Sequence, residues 1–175
     1  MPRFEIDVDP SDHITADAIG VPGQRTFYLQ AWQETRTVTV LLEKIQLQSL
    51  AVAIEQFLAT LSRQNPDLPE ASADYVDEHM KINPPVEPIF RVGEVGLGYD
   101  KERDLVVLIT REILIENDDP QEAAVIRFWC SRSQARALAR WGVEVVNRGR
   151  PICTQCGEPM EAEGHFCPKK NGHKH

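Results

Sequence analysis

A chain of 175 residues is long enough for one ordinary domain with an appendage, or for two very small domains. Hydrophobic residues make up 42% of the chain, which is enough for a core, and the formal net charge of −8 disfavours a mainly electrostatic nucleic-acid binder. No apolar run reaches the roughly 18 residues that a membrane span needs, and the first residues lack the layout of a signal peptide. The few cysteines are clustered at metal-ligand spacing, which favours a reducing compartment. We therefore expect a cytoplasmic protein outside the membrane.

The first part of the chain has the pattern of three strands followed by a helix. Runs rich in β-branched and aromatic residues predict strands at 14–19, 26–32 and 37–42. The residues that follow carry apolar side chains at helical spacing, which predicts an amphipathic helix. This apolar stripe consists of Leu47, Leu50, Ile54, Phe57, Leu58 and Leu61.

The turn between the first two strands contains a candidate binding element. Gly20-Val-Pro-Gly23 supplies turn residues, and Gln24 and Arg25 follow immediately before the second strand. A guanidinium can bind a carboxylate or phosphate with two hydrogen bonds, so Gln24 and Arg25 are candidate ligand-binding residues. The alternative is an ordinary hairpin turn whose arginine pairs with an acid of the body.

The second part repeats the same order of patterns after a proline-rich, acidic linker. Strands are predicted at 90–97, 105–113 and 125–130, and Ser131 with Gln134 has the spacing of a helix capping box. A weaker apolar stripe follows, and Cys130 reads as a small buried hydrophobe. The linker is expected to hold one short helical turn near residues 71–79. The apolar stripe of the second predicted helix consists of Ala135, Leu138, Gly142, Val145 and Val146.

The repeated order predicts an internal duplication. We expect an α+β fold in which two tandem βββα repeats form one antiparallel sheet or half-barrel carrying two helices, with a small zinc knuckle at the C-terminus. The predicted boundaries are 1–61 for the first repeat, 62–88 for the linker, 89–147 for the second repeat and 148–175 for the tail. Neither half alone could hide its sheet face well, so the two halves should pack together.

The tail has the ligand spacing of a zinc site. Cys153 and Cys156 form a Cys-x-x-Cys pair that is followed by glycine, and Cys167 is the natural third ligand. The fourth ligand is His165, with His173 as the alternative. Four thiolate and imidazole ligands close the coordination shell, so the expected Zn is structural and not catalytic.

Three segments together resemble a family of bacterial proteins of unknown function, the domain-of-unknown-function family 3090. They are Gly20-Val-Pro-Gly-Gln-Arg-Thr-Phe-Tyr-Leu-Gln30, Arg150-Pro-Ile-Cys-Thr-Gln-Cys-Gly157 and Gly164-His-Phe-Cys-Pro168. The resemblance runs nearly end to end. It implies no established activity, substrate or catalytic residue, and it favours His165 over His173 as the fourth ligand.

These observations favour a zinc-containing, non-enzymatic binding or adaptor protein with a protein partner. One alternative is a nucleic-acid-binding protein that uses the tail and Arg132, Arg136 and Arg140, which lie four residues apart on one face of the second helix. Another is an enzyme or binder that recognises a small acidic metabolite through Arg25. A homodimer formed through an exposed sheet edge is a further alternative for the assembly.

Overall fold

The computed structural model describes residues 1–148 and Gln155, and within them the chain forms one sheet and two long helices. No helix in this part of the chain is long and apolar enough to span a lipid bilayer. The strands are β1 (Glu5–Val8), β2 (His13–Ile19), β3 (Thr26–Gln33), β4 (Arg36–Leu42), β5 (Pro88–Asp100), β6 (Leu105–Glu112) and β7 (Val125–Cys130). The helices are α1 (Lys44–Gln64) and α2 (Arg132–Asn147).

The sheet is mixed, with strand order β1-β7-β6-β5-β4-β3-β2. Four neighbouring pairs are antiparallel, as expected, but β4 pairs with β5 and β1 pairs with β7 in parallel. The prediction of an antiparallel sheet is therefore wrong at these two junctions. Between β4 and β5 the chain passes through α1 and a long connection, which can return it to the same end of the sheet. Strands β1 and β7 lie about 120 residues apart, so no hairpin fixes their relative direction.

Strand β1 was not predicted from the sequence. It has only four residues, and its partner β7 lies about 120 residues further along the chain, with Glu5 opposite Val125 and Val8 opposite Phe128. A pattern this short gives a weak local signal. It becomes a strand because β7 offers a free edge.

The two helices pack against each other and cover one face of the sheet. The apolar stripe of α1 is buried except for the partly buried Phe57, and the stripe of α2 is buried throughout. The helices approach closely at Gly142, where a Cβ atom would lie 3.2 Å from Leu47 Cδ1. The start of α1 therefore lies beside the end of α2. The predicted capping box is confirmed: Gln134 N–H donates to Ser131 Oγ over 3.0 Å, and Ser131 N–H donates to Gln134 Oε1 over 2.8 Å.

In the structure the linker between α1 and β5 comprises residues 65–87, compared with the predicted 62–88. It runs along α2 before it reaches the sheet. Ser72 N–H donates to Ser133 Oγ over 3.0 Å, and the ring of Tyr75 packs edge-on against Trp141 with 5.7 Å between centroids. A 3-10 turn at Asp77–Met80 follows, close to the helical turn expected at 71–79. Met80 is fully buried, so the linker forms part of the core.

Candidate anion-binding site

A cleft of about 460 Å³ lies where the start of α1 meets the ends of β3, β4 and β5. Three of its lining side chains are cationic and one is acidic, although the whole chain has a net charge of −8. Its volume falls within the roughly 300–1,000 Å³ that is usual for small-molecule sites. The lining residues are Gly23, Arg25, Thr26, Phe27, Leu41, Leu42, Glu43, Lys44 and Arg91.

Arg25 is held in this cleft by contacts with the end of α2. Its Nη1 donates to the carbonyl of Val145 over 2.7 Å, and its Nη2 donates to the carbonyl of Val146 over 3.1 Å. The guanidinium also lies over the ring of Phe27, with its carbon 4.8 Å from the ring centroid. Burial lowers the pKa of Arg25, and the carboxylate of Asp17 works in the opposite direction.

These bonds change the interpretation of the hairpin turn. Terminal carbonyls of a helix carry partial negative charge, and a cation there stabilises the helix. Arg25 therefore caps α2. The alternative for this turn assumed instead that Arg25 pairs with an acid of the body. Gln24 is exposed on the turn, outside the set of residues that line the cleft.

The other two cations come from α1 and β5. Lys44 is the first residue of α1 and has an exposed side chain. Arg91 forms a short ion pair with Glu43, the residue that precedes α1. The carboxylate in the cleft is therefore already paired with Arg91. The first backbone N–H groups of α1 lie at the same edge and add to the positive potential.

The arginines of α2 are bound to acids and carbonyls of the same chain. Arg132 donates to both carboxylate oxygens of Asp104, over 2.7 and 3.1 Å, and to the carbonyl of Pro69 over 2.6 Å. Its nearest helical neighbour, Arg136, donates to the carbonyl of Ala71 over 2.7 Å. These contacts attach the linker to α2. The other acids that bind these arginines are Glu55, which pairs with both Arg136 and Arg140, and Glu70, which pairs with Arg136.

Gln30 is a structural residue whose role was not predicted from its sequence. Its side-chain amide donates to Thr39 Oγ1 and to the carbonyl of Asn83, each over 3.1 Å, and its carbonyl oxygen accepts from Asn83 N–H over 2.7 Å. Thr15 donates from Oγ1 to the carbonyl of Met80. These buried polar groups hold the linker against β2 and β3. Buried polar side chains on adjacent strands were the available signal, because such groups need partners.

The described part of the chain holds one cysteine, Cys130. It is fully buried, and burial raises the pKa of its thiol to about 12, which agrees with its predicted role as a core residue. Within residues 1–148, no three His, Cys, Asp or Glu side chains converge in a way that could hold a metal ion. The predicted zinc ligands Cys153, Cys156, His165, Cys167 and the alternative His173 lie outside the described residues.

Comparison with known proteins agrees with the resemblance seen in the sequence. The family model described as "Protein of unknown function (DUF3090)" matches residues 6–167. The chain belongs to this family. Searches of curated proteins and of solved structures find no match. The DUF3090 match spans both the sheet with its helices and the cysteine-rich tail as far as Cys167, so both parts are covered by one family.

Proposed function

We propose that this DUF3090 protein binds an anionic group in the cleft at the start of α1. The observation that carries the proposal is the convergence of Arg25, Lys44 and Arg91 around one cleft of ligand size. Three cations face one carboxylate there, so the local charge is opposite in sign to that of the whole molecule. This arrangement supports binding of a small acidic ligand, in which Arg25 is one of several cations rather than the sole anchor.

Arg25 and Arg91 make structural contacts and still keep donors and charge that a ligand could use. Two of the five N–H donors of Arg25 bind carbonyls of α2, so three N–H groups and the positive charge remain for a ligand. Lys44 has three donors on an exposed side chain at the rim. A ligand would therefore meet one rigid guanidinium and one adaptable ammonium, and Arg91 could share its charge between Glu43 and the ligand.

An NMR titration tests this proposal. Inorganic phosphate or succinate is added to the full ¹⁵N-labelled chain, and we expect saturating shifts at the amides of Lys44, Ile45 and Arg91. Lys44→Gln should weaken binding by about three- to tenfold, since an exposed charged contact contributes modestly. Binding should also weaken as ionic strength rises from about 0.01 to about 0.1 M, because the Debye length shrinks from about 30 to about 10 Å.

The matched control is Lys101→Gln, because Lys101 is exposed in the turn between β5 and β6 and does not line the cleft. The affinity of the Lys101→Gln variant for the anion should equal that of the unchanged protein. Equal weakening by both substitutions would show a response to net charge alone and would contradict a specific site. Shifts that do not saturate at any anion concentration would do the same.

We also propose that the tail binds one structural zinc ion through Cys153, Cys156, His165 and Cys167. The spacing of the ligands supports this, and segments of this size seldom fold without a metal. Metal analysis of untagged protein should give one zinc per chain, and the zinc should be lost in Cys153→Ser. A loss in His165→Ala but not in His173→Ala would identify the fourth ligand, whereas the reverse result would assign it to His173.

The remaining sequence interpretations stay predictions. The chain twice follows three strands with a helix, β2-β3-β4-α1 and β5-β6-β7-α2, which supports the proposed duplication. A role as an adaptor for a protein partner is compatible with anion binding if the acidic group belongs to that partner. The bonds of Arg132, Arg136 and Arg140 to the chain's own acids favour a structural role for that stripe, and nucleic-acid binding there remains the alternative.

A further inference from the structure

A second hollow follows the cationic cleft along the contact between α1 and β5. It has a volume of about 240 Å³ and a mainly apolar lining. Glu43 and Lys44 line the first hollow, the next two residues of α1 line the second, and β5 contributes Arg91 to the first and Gly93 to the second. The lining of the second hollow is Ile45, Gln46, Ser49, Leu50, Ala53, Gly93, Glu94, Val95 and Leu97.

Gln46 lies at the boundary between the two hollows, and the second hollow is called the apolar groove below. Its Nε2 donates to the carbonyl of Val92 over 2.9 Å, so it bridges α1 and β5. The register of β5 shifts between Val92 and Glu94, which turns this part of the strand away from regular pairing. Gly93 is required there, because a Cβ atom would lie 2.9 Å from Ile113 Cα.

The groove has an apolar floor and an exposed apolar rim. Leu50 is buried beneath it, while Ile45 on the rim is 64% exposed. Val95 and Leu97 of β5 are partly buried and form the opposite wall. The acid on the rim, Glu94, is ion-paired with Arg111 over 3.2 Å, so its charge is already compensated.

We propose that the ligand of the cationic cleft is a small amphiphilic anion, with a carboxylate or phosphate head and an unbranched aliphatic chain that lies in the apolar groove. This deepens the proposed function and depends on it. Charge complementarity places the head beside Lys44 and Arg91, and the chain follows α1 past Ile45 toward Leu97. Together the two hollows have the usual anatomy of a ligand site, which is an apolar pocket with a few polar groups at one end.

A chain-length series tests the proposal on the full protein. Acetate, butyrate, hexanoate and octanoate are titrated by NMR, and affinity should rise about fourfold for each methylene that enters the groove, then level off when the groove is full. Hexyl phosphate in place of hexanoate compares the two head groups. Hexanamide, which keeps the chain but lacks the charge, should bind at least about tenfold more weakly than hexanoate.

Ala53→Trp fills the groove and should abolish the dependence on chain length while leaving acetate binding unchanged. The matched control is Val52→Trp, because Val52 is 55% exposed on the same helix but does not line the groove. If Ala53→Trp fails to fold, intermolecular NOEs from the octanoate chain to the methyl groups of Val95 and Leu97 in the unchanged protein give the same information.

The outcomes separate this inference from the function on which it rests. Saturable binding of all four carboxylates with equal affinity would leave the anion site standing and overturn the amphiphile. Steep chain-length dependence that survives in Ala53→Trp would overturn the placement of the chain in this groove. Binding of none of the anions would overturn the proposed function itself.

Discussion

Gly20 shows how one residue without a side chain positions the candidate site. Its φ is 118°, a conformation that L side chains rarely adopt, and a Cβ atom there would lie 2.7 Å from the carbonyl oxygen of Gln24. That Cβ would also lie 3.3 Å from Arg25 Cα. The turn can therefore bring Arg25 against the end of α2 only while position 20 is glycine.

We expect Gly20→Ala to lower the free energy of unfolding by about 3 kcal/mol, since backbone strain and the collision with Gln24 add together. Gly23→Ala is the matched control: its φ is 90°, but no atom lies within 4 Å of the added Cβ, so the loss should be about 1 kcal/mol. Urea unfolding followed by circular dichroism measures both. Equal losses would show that the contact with Gln24 carries no cost.

Several residue roles could be predicted from the sequence, and others depended on distant partners. The capping box of Ser131 and Gln134 is local, so its spacing was sufficient. Arg25 could be identified as a candidate, but its partners Val145 and Val146 lie about 120 residues away. The spacing of Arg132, Arg136 and Arg140 predicted a shared helix face. It could not reveal that acids and carbonyls from other elements already occupy that face.

Hydrogen bonds attach the linker to α2 outside the core. Arg132 joins the carbonyl of Pro69 to the carboxylate of Asp104, which also accepts from Tyr99 Oη over 2.6 Å. The hydrogen bonds from Arg132 lower the pKa of Asp104, and the bond from Tyr99 acts in the same direction, while burial opposes them. Asp104 has a φ of 53°, which asparagine tolerates equally well, so Asp104→Asn removes the charge without straining the turn.

Asp104 should make stability sensitive to acid. Because its pKa is lower in the folded than in the unfolded chain, its contribution is fully present above its ordinary pKa of about 3.9 and is lost as pH falls through the depressed value. The difference in unfolding free energy between the unchanged protein and Asp104→Asn should therefore be constant between about pH 5 and 7 and shrink below about pH 4. Urea titrations at each pH measure it.

Asp67→Asn is the control for this experiment, because Asp67 is an exposed acid of the linker that Arg132 attaches to α2. The Asp104→Asn difference should depend more strongly on pH than the Asp67→Asn difference. If Asp104→Asn behaved like Asp67→Asn, the ion pair with Arg132 would contribute nothing measurable to folding.

At the scale of the whole molecule, the order of elements could be predicted but the way the halves join could not. Period-two and helical patterns are local and located six of the seven strands and both helices of the described chain. Pairing between β4 and β5, and between β1 and β7, depends on which edges remain free after the chain has folded. Those edges are not encoded in any short window, and so the mixed character of the sheet was missed.

The two halves are interlocked rather than stacked side by side. Helix α2, which follows the strands of the second half, packs on β2 of the first half, and Trp141 Nε1 donates to the carbonyl of Ala16 over 2.7 Å. Arg25 adds its two bonds to the end of the same helix. Each half therefore lacks part of its own core when the other is removed, and we expect both to unfold in one transition.

Native-state hydrogen exchange tests this cooperativity with one probe in each half. The amides of Leu29 in β3 and Phe128 in β7 are deeply buried, and we expect them to exchange with the same opening free energy. Trp141→Phe removes the bond to Ala16 and leaves a buried carbonyl without that partner, so it should lower both values together by about 1–3 kcal/mol. A fall at Phe128 with no change at Leu29 would show that the first half stays folded without α2. That result would make each strand–helix set an independent unit, and the shared core would then be a contact between two domains.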